Sequence, residues 1–257
     1  MLFVSIFQNE QCWICGSFEN LTKEHKFKAS ALTEILSNKY PLYIVKEGNV
    51  DSFKTAHGVK SNSLKFRTKI CDRCNSNVTQ ESDRAFDALR KELSDYSAEE
   101  IQNQKIWSAP DFKLGGLYYT PMFRYFAKLL GCHLAEIGAP IPVHLSNFVR
   151  KHSPANCIWL GIRSNPELEA DGQVKSSVSQ GGLTIITKKP SFQPLGIASS
   201  VTFGTVQYFY QYRWTWPEKM EMRLLHKDFV KECVVFGKRA SENPMNEKEL
   251  QSVGLDF

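Results

Sequence analysis

Two Cys-x-x-Cys pairs are the part of the chain whose residue types and spacing could do chemistry. The first pair is Cys12 and Cys15, and the second is Cys71 and Cys74. Each pair can direct two thiolates at one ion, so the two pairs supply the four sulfurs of a closed tetrahedral zinc site. A closed site has no position for substrate, and we therefore expect this zinc to stabilise the fold. The alternative is reduced core or redox thiols, since a single Cys-x-x-Cys is also a redox motif.

Glu24, His25 and Asn75 add reactive groups to this framework. If one zinc ion joins the two pairs, the segments after Cys15 and Cys74 come together, and the three side chains can converge. A carboxylate and an amide oxygen suit Mg²⁺, which keeps several waters and binds substrate phosphate. A neutral imidazole can accept a proton from an attacking water near pH 7. Together these groups are typical of a one-metal phosphodiesterase.

Residues 10–90 resemble the HNH endonuclease family. The family pattern is Cys-x-x-Cys, then Asp/Glu-His, then Cys-x-x-Cys-Asn, and it is matched by Cys12-Trp13-Ile14-Cys15, Glu24-His25 and Cys71-Asp72-Arg73-Cys74-Asn75. The resemblance implies a ββα-metal fold on a structural zinc. It also implies His25 as general base, with Glu24 and Asn75 as ligands of a catalytic Mg²⁺ or Mn²⁺.

The chain departs from the family pattern at two places. Lys28 stands three residues after the histidine, where the family often has proline. The family also usually has an Asn or His shortly before the second cysteine pair to orient the catalytic loop. Here the nearest asparagine, Asn62, is farther upstream, so the sequence assigns no orienting residue.

Positive charge is concentrated on the same segment. The net charge is +5, and residues 23–73 hold eleven Lys and Arg against five Asp and Glu, so the rest of the chain is near neutral. Such a patch favours a polyanion partner, here DNA, although a solvated lysine-rich surface is the commoner origin of such patches. The candidate nucleic-acid contacts are Lys23, Lys26, Lys28, Lys65, Arg67, Lys69 and Arg73.

The amino-acid composition distinguishes a globular protein from a membrane-spanning one. With 42% hydrophobic and 23% charged residues the chain is typical of globular proteins, and it lacks an apolar run of the roughly 20 residues that span a bilayer. Residues 1–7 are apolar, but they resemble a first strand more than a signal peptide. An odd number of cysteines, seven, favours reduced thiols in the cytoplasm.

Hydrophobic patterning predicts the elements that position the site. We expect residues 23–36 to lead from the Glu-His pair into a short helix that Ser30 caps before Ala31, and we expect a hairpin of 40–45 with 50–56 and a strand over 63–70. A helix over 75–95 would place Asn75, Thr79 and Asp83 on one face. Asp83 is then either a secondary metal-site residue or a solvated helix residue.

Sequence patterns in the rest of the chain predict a second group of helices and strands. They indicate helices over 120–134 and 142–151, followed by strands over 157–162, 183–188, 197–203 and 206–212. The predicted fold is therefore α+β, with a zinc-stabilised HNH-like domain at 1–97 and a helical and antiparallel β domain at 98–257. Whether the second domain recognises substrate, forms a homodimer or docks a protein partner is left open.

The function predicted from these residues is metal-dependent hydrolysis of DNA phosphodiester bonds. Two alternatives remain open. One is a non-catalytic zinc module that binds DNA within a larger assembly, and the other is a protein-interaction module held together by zinc. By family analogy alone, defence against foreign DNA is a plausible setting.

Overall fold

The computed structural model describes residues 10–36, 42–46, 49–56, 58–103, 105–164, 178–188 and 193–214. These residues form an α+β fold in which all paired strands are antiparallel, as predicted. The strands are β1 (Leu21–His25), β2 (Leu42–Lys46), β3 (Asn49–Ala56), β4 (Lys65–Cys71), β5 (Trp159–Ser164), β6 (Val178–Gln180), β7 (Thr184–Lys188), β8 (Gln193–Phe203) and β9 (Val206–Arg213). The helices are α1 (Ala29–Leu36), α2 (Gln80–Ser94), α3 (Ala98–Gln102), α4 (Tyr119–Glu136) and α5 (Val143–Val149). The predicted first strand, at 1–7, lies outside the described residues.

β1 and β4 pair as a two-stranded antiparallel sheet that carries the Glu-His dipeptide. Lys23 lies opposite Lys69 and His25 lies opposite Lys65, and the register shifts between these two pairs. Glu24 stands at this irregularity, and its side chain is buried. An irregularity of this kind re-aims the side chains of the strand that contains it.

The predicted short helix is present, but Ser30 is not its cap. Helix α1 begins at Ala29, so Ser30 lies inside it instead of capping it, and its hydroxyl donates to Asp87 at 2.6 Å. Residues Leu21–His25 are extended because they pair with a strand some forty residues later in the chain. Nothing in the local sequence pattern reveals that partner.

A wide helical turn, Arg73–Val78, joins β4 to α2. The Thr79 amide donates to the carbonyl of Cys74, five residues earlier, which is the hydrogen bond of a π-helix. The predicted helix is therefore regular only from Gln80, and the four-residue spacing from Asn75 does not hold across the turn.

Most of the remaining strands and helices follow the predictions, whereas α3 and β6 were not predicted. β2 and β3 form a separate two-stranded hairpin. The larger sheet has the order β5-β9-β8-β6, with β7 also paired to β8. The predicted helix over 120–134 is α4, in which nearly every side chain is buried, and the one over 142–151 is α5.

The core is continuous between α2, α4 and the larger sheet. Phe86 of α2 stacks on Tyr125 of α4 with ring centroids 4.1 Å apart, and it contacts Phe126 and Tyr208 edge-on. One hydrophobic cluster runs from Cys12 to Tyr212. Elements on both sides of residue 97 therefore share buried surface, and the division into two domains there stays a prediction.

No helix within the described ranges is long and apolar enough to cross a membrane.

Candidate metal centre and adjoining polar site

Four cysteine sulfurs come together where β1, β4 and the N-terminal turn meet. The Sγ atoms of Cys12, Cys15, Cys71 and Cys74 all lie within 4.8 Å of one another, and those of Cys15 and Cys71 are 3.5 Å apart. A tetrahedral zinc ion with Zn–S bonds of about 2.3 Å separates its sulfurs by about 3.8 Å. The predicted four-cysteine cluster is thus confirmed, and its donor set and spacing fit zinc.

Crowding of the thiols also points to a cation. The hydrogen bond between Cys12 and Cys74 is the largest influence on both groups: it lowers the pKa of Cys12 to about 5 and raises the pKa of Cys74. Hydrogen bonding between the two sulfurs thus favours the thiolate at Cys12 and the thiol at Cys74. A divalent ion would let all four sulfurs be thiolates.

The first cysteine pair lies in a tight loop. The amide of Cys12 donates to the Ser17 carbonyl, and the amide of Gly16 donates to the Cys12 carbonyl, each at 2.7 Å. Gly16 has a φ of +81°, a backbone conformation that favours glycine. The loop thus directs both sulfurs of the pair to the same side.

Buried contacts hold this loop against α4 and α5. The Trp13 indole Nε1 donates to the Cys132 sulfur at 3.4 Å, and the ring covers Gly131, where an added Cβ would lie 2.2 Å from the nearest ring carbon. The Ser146 hydroxyl donates to the Ile14 carbonyl at 2.7 Å. Among the other cysteines, Cys132 is buried, Cys157 is only partly buried, and Cys233 lies outside the described residues.

Glu24 faces inward and pairs with a lysine. The Nζ atom of Lys128, on α4, lies 2.8 Å from Oε1 of Glu24 and 2.6 Å from Oδ1 of Asp83, and the lysine side chain is 1% exposed. Burial alone would lower the pKa of Lys128, but the two carboxylates outweigh it and raise that pKa, so the ammonium stays charged. Asp83 therefore adjoins Glu24 through this lysine.

His25 is half-buried beside this ion pair. Its Nε2 lies 3.1 Å from the Val59 carbonyl oxygen. Since a carbonyl only accepts, Nε2 carries the proton, and Nδ1 of the neutral ring keeps its lone pair. Burial is the main cause that lowers the pKa of His25, so the ring is neutral at pH 7 and Nδ1 can act as a base. The Val59 carbonyl orients the ring, a role that the sequence left unassigned.

Asn75 is connected to the strand that carries Glu24. Its Nδ2 donates to Oγ1 of Thr22 at 3.2 Å, and Thr22 in turn donates to the Ile70 carbonyl. Because the amide nitrogen is used in this way, Oδ1 is the atom that could bind a metal. Glu24 could bind one through Oε2, since Lys128 uses Oε1. Carboxylate and amide oxygens are donors that a hard cation such as Mg²⁺ prefers.

The seven predicted nucleic-acid contacts fall into two groups. Three of them pair with carboxylates: Lys26 and Arg67 with Glu136, and Lys28 with Asp83 and Asp87. The other four make no ion pair within the described part of the chain, and three of these are exposed while Lys65 is half-buried. This second group is Lys23, Lys65, Lys69 and Arg73.

Sequence reasoning missed Lys128 and Val59. Lys128 carried a signal, since it is one charged residue in the middle of an apolar helix, and lysine is almost never fully buried unless it is paired. Val59 carried none, because it acts through its backbone carbonyl.

We find no significant match to this chain among protein-family models, curated proteins or solved structures.

Proposed function

We propose that the protein is a zinc-stabilised, HNH-type endonuclease that hydrolyses DNA phosphodiester bonds, with His25 as the general base. The observation that carries this proposal is the geometry of His25. The ring is neutral, its Nε2 donates to the Val59 carbonyl, its Nδ1 keeps the lone pair of a base, and Lys65 lies opposite it on β4. A base with these properties suits the activation of water at neutral pH.

The reaction requires few protein groups. Nδ1 of His25 takes a proton from a water molecule, whose oxygen forms a bond to phosphorus while the bond from phosphorus to the leaving sugar oxygen breaks. A Mg²⁺ or Mn²⁺ ion held by Glu24 and Asn75 would neutralise the charge that grows on the phosphate and the leaving oxygen. Asp83 supports Glu24 indirectly, since both carboxylates contact the ammonium of Lys128.

Plasmid cleavage tests the proposal. Wild-type protein, His25→Ala and the matched control His152→Ala, which removes an exposed histidine elsewhere, are compared with Mg²⁺, with Mn²⁺ and with EDTA after bound zinc has been measured. We expect metal-dependent cutting by the wild type and the control, and a loss of at least about 100-fold in His25→Ala. Equal cutting by His25→Ala would overturn the assignment of the base.

The buried ion pair favours a second candidate function. Because Lys128 already neutralises one oxygen of Glu24, the carboxylate does not need a metal to be stable in the interior. The protein would then be a non-catalytic zinc module that binds DNA or another protein. A folded, zinc-loaded wild type that cuts no plasmid with either metal would support this candidate over the nuclease.

A further inference from the structure

One face of the β1–β4 sheet carries a cluster of positive side chains. On β4 the side chains of Phe66, Thr68 and Ile70 are buried, so the alternate residues point to the outer face. Those residues are Lys65, Arg67 and Lys69. We call the outer side chains of the two strands the basic face; its members are Lys23, His25, Lys65, Arg67 and Lys69.

The arrangement of charge on this face is unfavourable for the isolated protein. Lys23 and Lys69 are direct cross-strand neighbours, and like charges in that position destabilise a sheet. Neither makes an ion pair among the residues that the structure describes, and the polar partner of Lys23 is the Asn62 amide oxygen at 3.5 Å. Arg67, by contrast, is paired with Glu136.

We propose that the basic face binds the phosphate backbone of duplex DNA through Lys23, Lys65 and Lys69. This inference rests on the proposed function, because it names the surface that would bring the substrate to His25. A polyanion removes the repulsion between Lys23 and Lys69 and gives each ammonium a counter-charge. The lysines that already have carboxylate partners, Lys26 and Lys28, contribute little.

The shape of the face favours duplex DNA over a single strand. Proteins that bind single strands stack the bases on exposed aromatic rings. The basic face has no ring other than that of His25, and the exposed Phe18 precedes β1 instead of standing on the sheet. From Lys65 to Lys69 the face extends about 13 Å, over which a duplex presents several phosphates.

The position of His25 connects binding with chemistry. It lies opposite Lys65 on the same two strands, so a phosphate held between the lysines is next to the imidazole. We expect these lysines to orient the DNA backbone through phosphate contacts, which carry no sequence information by themselves.

Fluorescence anisotropy with a labelled duplex tests this surface. The full-length, zinc-loaded protein is used without added Mg²⁺ or Mn²⁺, so that binding is measured without metal-dependent cutting. Lys23→Gln/Lys69→Gln is compared with Lys26→Gln/Lys28→Gln, which removes the same charge from ion-paired positions. We expect the first variant to bind at least about tenfold more weakly, and the slope of log K against log salt to fall by about 2. The control should keep the wild-type slope.

Several outcomes would overturn the proposal. An equal loss in the two double variants would mean that only net charge matters. Tighter binding of a labelled single strand, or of duplex RNA, would show that the face does not select duplex DNA. If the wild type cuts plasmid and Lys23→Gln/Lys69→Gln binds DNA as tightly as the wild type, the proposed binding surface is wrong but the proposed nuclease activity stands. If Lys23→Gln/Lys69→Gln binds DNA more weakly but the wild type cuts no plasmid, the binding surface is supported and the nuclease activity is refuted.

Discussion

The ammonium of Lys128 lies 2.8 Å from the carboxylate of Glu24, and the lysine is almost completely removed from solvent. The pair connects α4, in the second half of the chain, with β1, which carries His25. Asp83 of α2 completes the cluster at 2.6 Å. Lys28 also contacts Asp83 at 4.0 Å, so the two carboxylates are balanced by two ammonium groups.

Replacement of Lys128 should strongly destabilise the folded protein. Lys128→Met leaves the buried carboxylate of Glu24 without its ammonium partner and Asp83 with only the longer contact to Lys28, and we expect the free energy of unfolding to fall by about 3–5 kcal/mol. The measurement is urea unfolding of zinc-saturated protein. The control is Lys151→Met, which breaks an exposed pair with Glu81 and should cost about 1 kcal/mol or less.

A neutral version of the same cluster separates charge from packing. The triple variant Glu24→Gln/Asp83→Asn/Lys128→Met should recover most of the stability that Lys128→Met loses, because no buried charge remains unpaired. If the triple variant is no more stable than Lys128→Met, the loss comes from packing and the electrostatic explanation is wrong.

Contact between Trp13 and Gly131 makes that glycine sensitive to substitution. A methyl group at residue 131 would overlap the indole ring, so Gly131→Ala should lower the midpoint of thermal unfolding and cost about 1–3 kcal/mol. Gly58→Ala is the matched control, since an added Cβ at Gly58 meets nothing within 4 Å. Combining Gly131→Ala with Trp13→Leu should be less damaging than the sum of the single changes. Strict additivity would argue against the contact.

Removal of one zinc ligand should unfold the surrounding turn. Cys71→Ser leaves three sulfurs, and we expect loss of bound zinc together with loss of helical circular dichroism, since zinc supplies folding free energy at such sites. Cys157→Ser, which lies outside the cluster, should keep one zinc ion per chain by elemental analysis. Retention of stoichiometric zinc by Cys71→Ser would mean that a different set of ligands binds it.

His133 should make stability depend on pH. Burial is the main cause that lowers its pKa to about 4, and its Nε2 lies 3.2 Å from the Ser199 hydroxyl. The unfolded chain takes up the proton near pH 6.5, so between pH 6.5 and 4 the unfolded state binds more protons and stability falls as the pH falls. Between pH 7.5 and 5 this group should remove about 2 kcal/mol.

Comparison with a variant isolates the histidine from other titrating groups. His133→Gln is unfolded by urea at both pH values alongside the wild type. The variant should lose about 2 kcal/mol less than the wild type on acidification. Parallel losses in the two proteins would place the pH dependence elsewhere.

Local patterns predicted the parts of the fold that depend on nearby residues. The two Cys-x-x-Cys turns, the apolar stripe of α4 and the alternation in β4 could all be seen in short windows. The strand Leu21–His25 was not predicted, because β1 is extended only by pairing with β4. Lys128 was missed because its partners, Glu24 and Asp83, are distant in the chain.

The contacts of the loop that carries Cys12 and Cys15 with α4 and α5 have a consequence during protein synthesis. Trp13 reaches Cys132 over 119 positions of sequence, and Ile14 reaches Ser146 over 132. A nascent chain that has emerged only through α2 can bring the four cysteines together, but its Trp13 ring is uncovered and its Glu24 has no ammonium partner. The buried carboxylate of Glu24 is therefore neutralised by Lys128 only after α4 has left the ribosome, and the Ile14 carbonyl meets Ser146 only after α5 has followed.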